Sequence, residues 1–255
     1  MIPKIIHYCW FGRNPLPPLA EECIASWQKF LPGYEIREWN EDNFDVNIIP
    51  YTAEAYRQGK YAFVSDYARF WILHKYGGLY FDTDVEVIRP MDDIVERGSF
   101  MGFETDPDGE NSPLKYPPRY AFGVNVGLGC GFEVGNAFVR RMLDLYDKLG
   151  FETPQMNPNL KTVVAHVTDV LVEHGLECKR GIQQVDGITI YPREYFAPIN
   201  VVTGRLHITK NTRTIHRYMG SWTSEMGTWK ECIRNNVPEW ILLLINQMKR
   251  SLSRK

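Results

Sequence analysis

Two rhythms of apolar residues alternate along this 255-residue chain, and they predict short strands separated by amphipathic helices. Ile5 to Phe11 is an apolar run closed by Gly12, which reads as a buried first strand. After the turn Asn14-Pro15-Leu16-Pro17-Pro18, Leu19 to Phe30 has helical spacing. Pro32-Gly33 marks a turn, and Tyr34, Ile36 and Trp39 beyond it form a second strand. Tyr51 to Gln58 reads as a short helix. Lys60 to Tyr76 is a longer one, with Phe63, Tyr67, Phe70, Trp71 and His74 at three- and four-residue steps. Gly77-Gly78 ends it, because glycine enters the left-handed region without steric cost. Leu79-Tyr80-Phe81 is then a buried strand, with Asp82-Thr83-Asp84 at its carboxyl end.

The second half is patterned less sharply. Strands are expected at Ser99 to Glu104, Val124 to Leu128, Ile188 to Tyr191 and Arg213 to His216. Helices are expected at Asn136 to Leu149 and Leu160 to His174, and Thr105 to Arg119 is a polar excursion. Strands alternating with helices imply an α/β sandwich with a mainly parallel sheet, whose ligands bind at the carboxyl ends of the strands. No internal repeat or low-complexity linker divides residues 1–237, which read as one domain followed by a C-terminal segment, 238–255.

Composition narrows the function classes. A net charge of -2 leaves no basic footprint for nucleic acid, so no such partner is expected. The 7 Trp, 14 Tyr and 13 Phe mostly fill a core, but some can present flat faces to a sugar or a base. Five cysteines, widely spaced and without a C-x-x-C pair, argue against a disulfide framework or a zinc site and fit a reducing compartment. No signal peptide and no run of about 18 apolar residues is visible, so a cytoplasmic protein is expected.

The chemistry concentrates at Asp82 and Asp84. On a continuing strand, residues i and i+2 point to one side, so their carboxylates converge on one volume. Such a pair repels unless a proton or a cation intervenes. Mg²⁺ and Mn²⁺ take oxygen ligands and keep positions open for phosphates, which a departing diphosphate supplies. The other reading is a solvated polar turn. Ser65, Asp66 and Arg69 share a face of the preceding helix. Alone, Asp66 and Arg69 read as a surface ion pair; beside two carboxylates they also suit a polyhydroxylated ligand. His216 is either a structural histidine or a third ligand for Mn²⁺. His7 and His74 lie in apolar contexts and read as structural.

Several blocks in fixed order resemble a known family. Ala62-Phe63-Val64-Ser65-Asp66-Tyr67-Ala68-Arg69, followed by Tyr76-Gly77-Gly78-Leu79-Tyr80-Phe81-Asp82-Thr83-Asp84, is similar to the signature of the DXD-containing sugar transferases. That group includes yeast initiating mannosyltransferases, bacterial capsular-polysaccharide transferases and, more distantly, the glucosylating clostridial toxins. The opening Ile2 to Gly12, the stretch Tyr191 to Pro198 and His216 to Trp222 fit the bacterial members, so the resemblance spans residues 2 to 222. It implies a GT-A fold, a nucleotide-sugar donor (a UDP-sugar ahead of a GDP-sugar), a Mn²⁺ or Mg²⁺ ion and retention of anomeric configuration. The acceptor it implies is a glycan or a lipid-linked sugar in surface polysaccharide synthesis. By matching position, Trp10 stacks on the base, Asp66 and Arg69 hold donor-sugar hydroxyls, and Ser65 and Tyr80 line the nucleotide side. Asp82 bridges ribose and metal, Asp84 and His216 ligate the metal, and Ser221 and Trp222 close over the diphosphate. Asp66, Arg69, Asp82 and Asp84 carry the catalysis in this reading. Val167-Thr168-Asp169-Val170 stands where many relatives carry a Thr-Gly-Pro or Ser-Gly-Pro turn, so acceptor detail from the eukaryotic members does not transfer.

Retention can arise by front-face attack or through a covalent intermediate, for which Glu104 is the one candidate nucleophile. The rival classes are a haloacid-dehalogenase-type phosphatase, whose first motif Asp82-Thr83-Asp84-Val85 partly satisfies, and a non-catalytic nucleotide-sugar-binding protein. In 238–255, Trp240 to Ile245, Met248 and Leu252 are followed or interleaved by Lys249, Arg250, Arg254 and Lys255. This segment reads equally as a helix lying on an anionic membrane surface or as one packed on the domain.

Overall fold

The computed structural model describes residues 1–107, 122–153, 156–157, 160–200 and 203–219. Ser221, Trp222, the segment 238–255 and most of the Thr105–Arg119 excursion lie outside the described residues.

The first half follows the apolar rhythm closely. Strand β1 (Ile5–Cys9) leads into α1 (Pro18–Phe30), which starts with proline in its first turn, where the missing N–H has no cost. Next come β2 (Glu35–Trp39), α2 (Pro50–Arg57) and α3 (Tyr61–Tyr76). Gly77 and Gly78 then take φ of 62° and 101°. A Cβ on Gly78 would stand 2.7 Å from the Ile5 carbonyl oxygen, so glycine alone lets the chain reverse tightly from α3 into the sheet. The rest runs β3 (Gly78–Tyr80), β4 (Val85–Val87), α4 (Asp92–Val95), β5 (Phe100–Thr105), β6 (Gly123–Asn125) and β7 (Cys130–Phe132). Helices α5 (Ala137–Tyr146) and α6 (Val163–Glu173) precede β8 (Gln183–Val185), β9 (Ile188–Tyr191) and β10 (Thr214–His216).

Eight strands make one mixed sheet in the order β2-β1-β3-β7-β5-β9-β8, with β6 beside β5. β1 is parallel to β2 and β3, and β5 is parallel to β9; β7 runs antiparallel between β3 and β5. The strands β2, β1, β3, β5 and β9 therefore point the same way, and their carboxyl ends share one edge. This is the largely parallel α/β sandwich expected, and it agrees with the GT-A type that the resemblance implies. Successive side chains divide between two cores. Cys9, Tyr80 and Met101 pack with α2, α3, α5 and α6, whereas Ile6, Leu79, Phe81 and Phe100 pack with Trp27 of α1 and with β4. No helix among the described residues is long and apolar enough to cross a membrane.

Two expectations are corrected. Val124 to Leu128 is not one strand: β6 stops at Asn125, whose side chain accepts the Gly127 N–H at 2.7 Å and turns Val126–Leu128 into a 3₁₀ turn. Nor does the strand continue through the carboxylate pair. β3 ends at Tyr80, and the Val85 N–H donates to the Asp82 carbonyl at 3.0 Å, closing a turn. A turn rather than strand alternation brings Asp82 and Asp84 together.

Candidate active site

The site forms where that turn meets two neighbouring elements on the carboxyl edge. Strand β10 pairs antiparallel with β4, setting His216 opposite Val85 and so beside the turn. One ligand atom each from Asp82, Asp84 and His216 lie within 4.8 Å of one another. His216 Nε2 is 3.2 Å from Asp84 Oδ1. The Met219 N–H donates to Asp84 Oδ2 at 2.8 Å, and the Arg217 N–H to the Asp84 carbonyl at 2.8 Å. Burial pulls the Asp84 carboxyl upward, but His216 and the Met219 N–H together hold it below the usual carboxylate range. Burial likewise opposes charge on His216, yet the Asp84 carboxylate outweighs it and raises the imidazole to about 9. Nδ1 of His216 is buried without a hydrogen-bond partner. Two carboxylates and an imidazole are a donor set that suits Mn²⁺, and their spacing fits one ion, so the residues present fit the metal the resemblance implies.

Helix α3 supplies the opposite wall. The buried Arg69 guanidinium reaches Asp66 Oδ1 at 3.0 Å and Asp82 Oδ1 at 3.4 Å. Its Nε–H donates to the Ser65 carbonyl at 3.0 Å, and its Cζ lies 4.9 Å from the centroid of the Tyr80 ring. Asp66 and Arg69 are thus no surface pair: their side chains are 16% and 5% exposed. Burial pushes the Asp66 carboxyl up to about 6, with Arg69 opposing and the Asp82 charge adding to it. The group is poised between accepting and donating hydrogen bonds near neutral pH.

The remaining sequence candidates occupy different roles. Trp10 follows directly on the carboxyl end of β1, half-buried, with its indole N–H on the Asn14 carbonyl at 2.6 Å. The Ser65 hydroxyl bonds back to the Tyr61 carbonyl at 3.2 Å. Tyr80 is fully buried under Arg69 and faces no open space. His7 is structural: its Nε2–H meets the Gly77 carbonyl at 2.9 Å, while Nδ1 accepts the Trp39 indole N–H at 3.0 Å.

No local pattern in the sequence marks the turn 125–128 as a site element. Asn125 reads as one polar residue in an apolar run, yet its Nδ2 donates to Glu104 Oε1 at 3.2 Å. The Gly127 carbonyl accepts the Asp82 N–H at 3.1 Å. Tyr218 was missed as well. Its ring stands edge-on to His216 at 4.3 Å, its φ is 50°, and its hydroxyl is buried without a partner.

Residues 17–101, which contain α3 and the carboxylate turn, match the model of the glycosyltransferase sugar-binding region containing DXD motif. The resemblance to the DXD-containing sugar transferases is borne out. Among curated proteins, the chain is 29% identical over 133 residues to inositol phosphoceramide mannosyltransferase 1 of Schizosaccharomyces pombe, covering 48% of this chain and 40% of that one. It is 30% identical over 134 residues to mannosyl phosphorylinositol ceramide synthase CSH1 of Saccharomyces cerevisiae, covering 49% and 34%. The match thus spans about a third to two fifths of the length of these relatives. Among solved structures, PaToxG glycosyltransferase aligns with a TM-score of 0.46 at 19% identity over 68% of this chain and 69% of that one, a likeness too slight to support an argument. Within the DXD region matched here, Asp66, Arg69, Asp82 and Asp84 all fall on the walls just described, and His216 joins them from outside it.

Proposed function

We propose that this chain is a metal-dependent, retaining glycosyltransferase that moves a hexose from a nucleotide-diphosphate sugar, preferably a UDP-sugar, to a glycan or lipid-linked acceptor in surface polysaccharide synthesis. The convergence of Asp82, Asp84 and His216 within 4.8 Å, against the Asp66–Arg69 pair, carries the reading. The word mannosyltransferase in the name of a relative supports a hexose as the group transferred.

When bound, a Mn²⁺ or Mg²⁺ ion supplies positive charge against the departing diphosphate. Asp84 and His216, the more buried pair, would hold it most firmly, and Asp82 would hold the ion and the donor ribose. Asp66 and Arg69 hold the donor-sugar hydroxyls and fix the sugar relative to the leaving group. In front-face attack the bond from the anomeric carbon to the phosphate oxygen breaks as the acceptor oxygen bonds on the same face. The departing oxygen takes the acceptor's proton.

A thermal-shift panel of UDP- and GDP-sugars, with and without Mn²⁺, tests the proposal. Stabilisation by UDP-sugars that requires Mn²⁺ is expected. A preference for GDP-sugars would correct the base, and the absence of any response to either would sink the proposal. Release of phosphate from small phosphoesters would favour the phosphatase class instead.

A further inference from the structure

The carbonyl of Gly127 accepts the Asp82 N–H at 3.1 Å, and the Gly127 N–H donates to Asn125 Oδ1 at 2.7 Å. A Cβ built on Gly127 would stand 2.0 Å from Asp82 Oδ2 and 2.8 Å from its Cγ, far inside van der Waals contact. Gly127 is not among the glycines with positive φ, so its backbone is open to any residue. The demand for glycine comes from the space that the Asp82 carboxylate occupies. On its other side, Asp82 Oδ1 faces Arg69 at 3.4 Å. The carboxylate is therefore wedged between a guanidinium and a bare backbone.

We infer that the turn Asn125–Leu128 is a positioning element of the site. Gly127 seats Asp82 where it can join Asp84 and His216, and Asn125 fixes Gly127 by accepting its N–H. The assignment of the Asn125 amide follows from its partners: its oxygen faces an N–H and its nitrogen faces the Glu104 carboxylate at 3.2 Å. This inference rests on the metal-dependent reading above. It separates two consequences of filling the space. The atom a Cβ would meet is the free end of a side chain, so Asp82 can rotate away at small cost to stability. The ligand geometry, which tolerates about half an ångström, is then lost.

Titration of the full chain with MnCl₂ by calorimetry, alongside thermal melting, tests the inference. Gly127→Ala is expected to melt close to the wild type and to bind Mn²⁺ roughly 10–100-fold more weakly, the usual effect of disturbing a group that orients a ligand. Gly131→Ala is the contrast: its Cβ would meet Phe100 at 2.5 Å and Leu79 at 2.8 Å. It should melt earlier and keep wild-type Mn²⁺ affinity. Wild-type affinity in Gly127→Ala, with binding abolished in Asp84→Asn, would overturn the positioning role and leave the metal site standing. No Mn²⁺ binding by the wild type would overturn both. If Gly127→Ala does not fold, Asn125→Ala decides: weakened Mn²⁺ binding is expected, and unchanged binding overturns the role.

Discussion

Arg69 stands between two carboxylates, 3.0 Å from Asp66 and 3.4 Å from Asp82, and among the described residues no other cation forms an ion pair with either. Removing it leaves the two carboxyls facing each other in a poorly solvated place without a counter-charge, so that Asp66, already pushed up by burial, must take up a proton. Arg69→Met should therefore cost about 3 kcal/mol of stability, measured by urea unfolding at neutral pH. Glycosyl transfer should fall with it. An Arg69→Met protein as stable as the wild type would show that the pair does not couple the α3 wall to the carboxylate turn.

Asp82 and Asp84 differ in exposure and in partners. Asp82 is 30% exposed and held by Arg69; Asp84 is 12% exposed, beside His216 and the Met219 N–H. Asp84→Asn keeps an acceptor for Met219 but loses the anionic ligand. It should weaken Mn²⁺ binding by more than the roughly 10–100-fold that an outer partner is worth. Asp82→Asn should weaken it less and raise the KM for donor. Calorimetric titration of both variants decides; the reverse order would reassign the two carboxylates.

The division of labour at this turn marks how far the sequence could be read. The strand before it, the helix α3 and the glycine pair between them follow from apolar spacing and from glycine's conformational range. Their bounds match within a residue or two. The contribution of His216, by contrast, depends on a three-residue strand pairing with Val85–Val87 across more than 120 residues of chain. A strand is expected at Arg213 to His216 and β10 bears it out, but its partner across the chain is not legible, and β7 and β8, of three residues each, carry too little period to be distinguished from a loop. Asn125 and Gly127 escaped notice for another reason. Their roles are set by what lies opposite them, Glu104 and Asp82, and no local pattern encodes an opposing surface.

His7 gives the fold a dependence on acid. Burial lowers its pKa to about 4, with the Gly77 carbonyl opposing the shift, and protonating Nδ1 would also displace the Trp39 N–H. The unfolded chain takes up this proton near 6.5 and the native state near 4. The stabilising contribution is thus complete above pH 6.5 and is lost as pH falls toward 4, amounting to roughly 3 kcal/mol. His166, also lowered to about 4 by burial, acts in the same direction. Asp66, raised to about 6, acts against them, since the native state takes up its proton first. Comparing His7→Gln with the wild type isolates the histidine. Its melting temperature should fall less steeply than that of the wild type between pH 7 and 4.5, and parallel curves would contradict the assignment.

Glu104 bears on the route to retention. It is the penultimate residue of β5, and its charge acts on both His216 and Tyr218. Oε1 of Glu104 accepts from Asn125 Nδ2 at 3.2 Å, so the carboxylate braces the turn behind Asp82 as well as acting on the site by its charge. The proposed front-face route needs no carboxylate nucleophile. Front-face attack then predicts that Glu104→Ala keeps turnover within about tenfold of wild type, the loss expected of a single electrostatic contact of about 1.4 kcal/mol. A covalent route through Glu104 predicts instead a loss of several orders of magnitude, partly restored by an added small anionic nucleophile such as formate or azide. Single-turnover rates for the two proteins, with the anomeric configuration of the product, distinguish the routes.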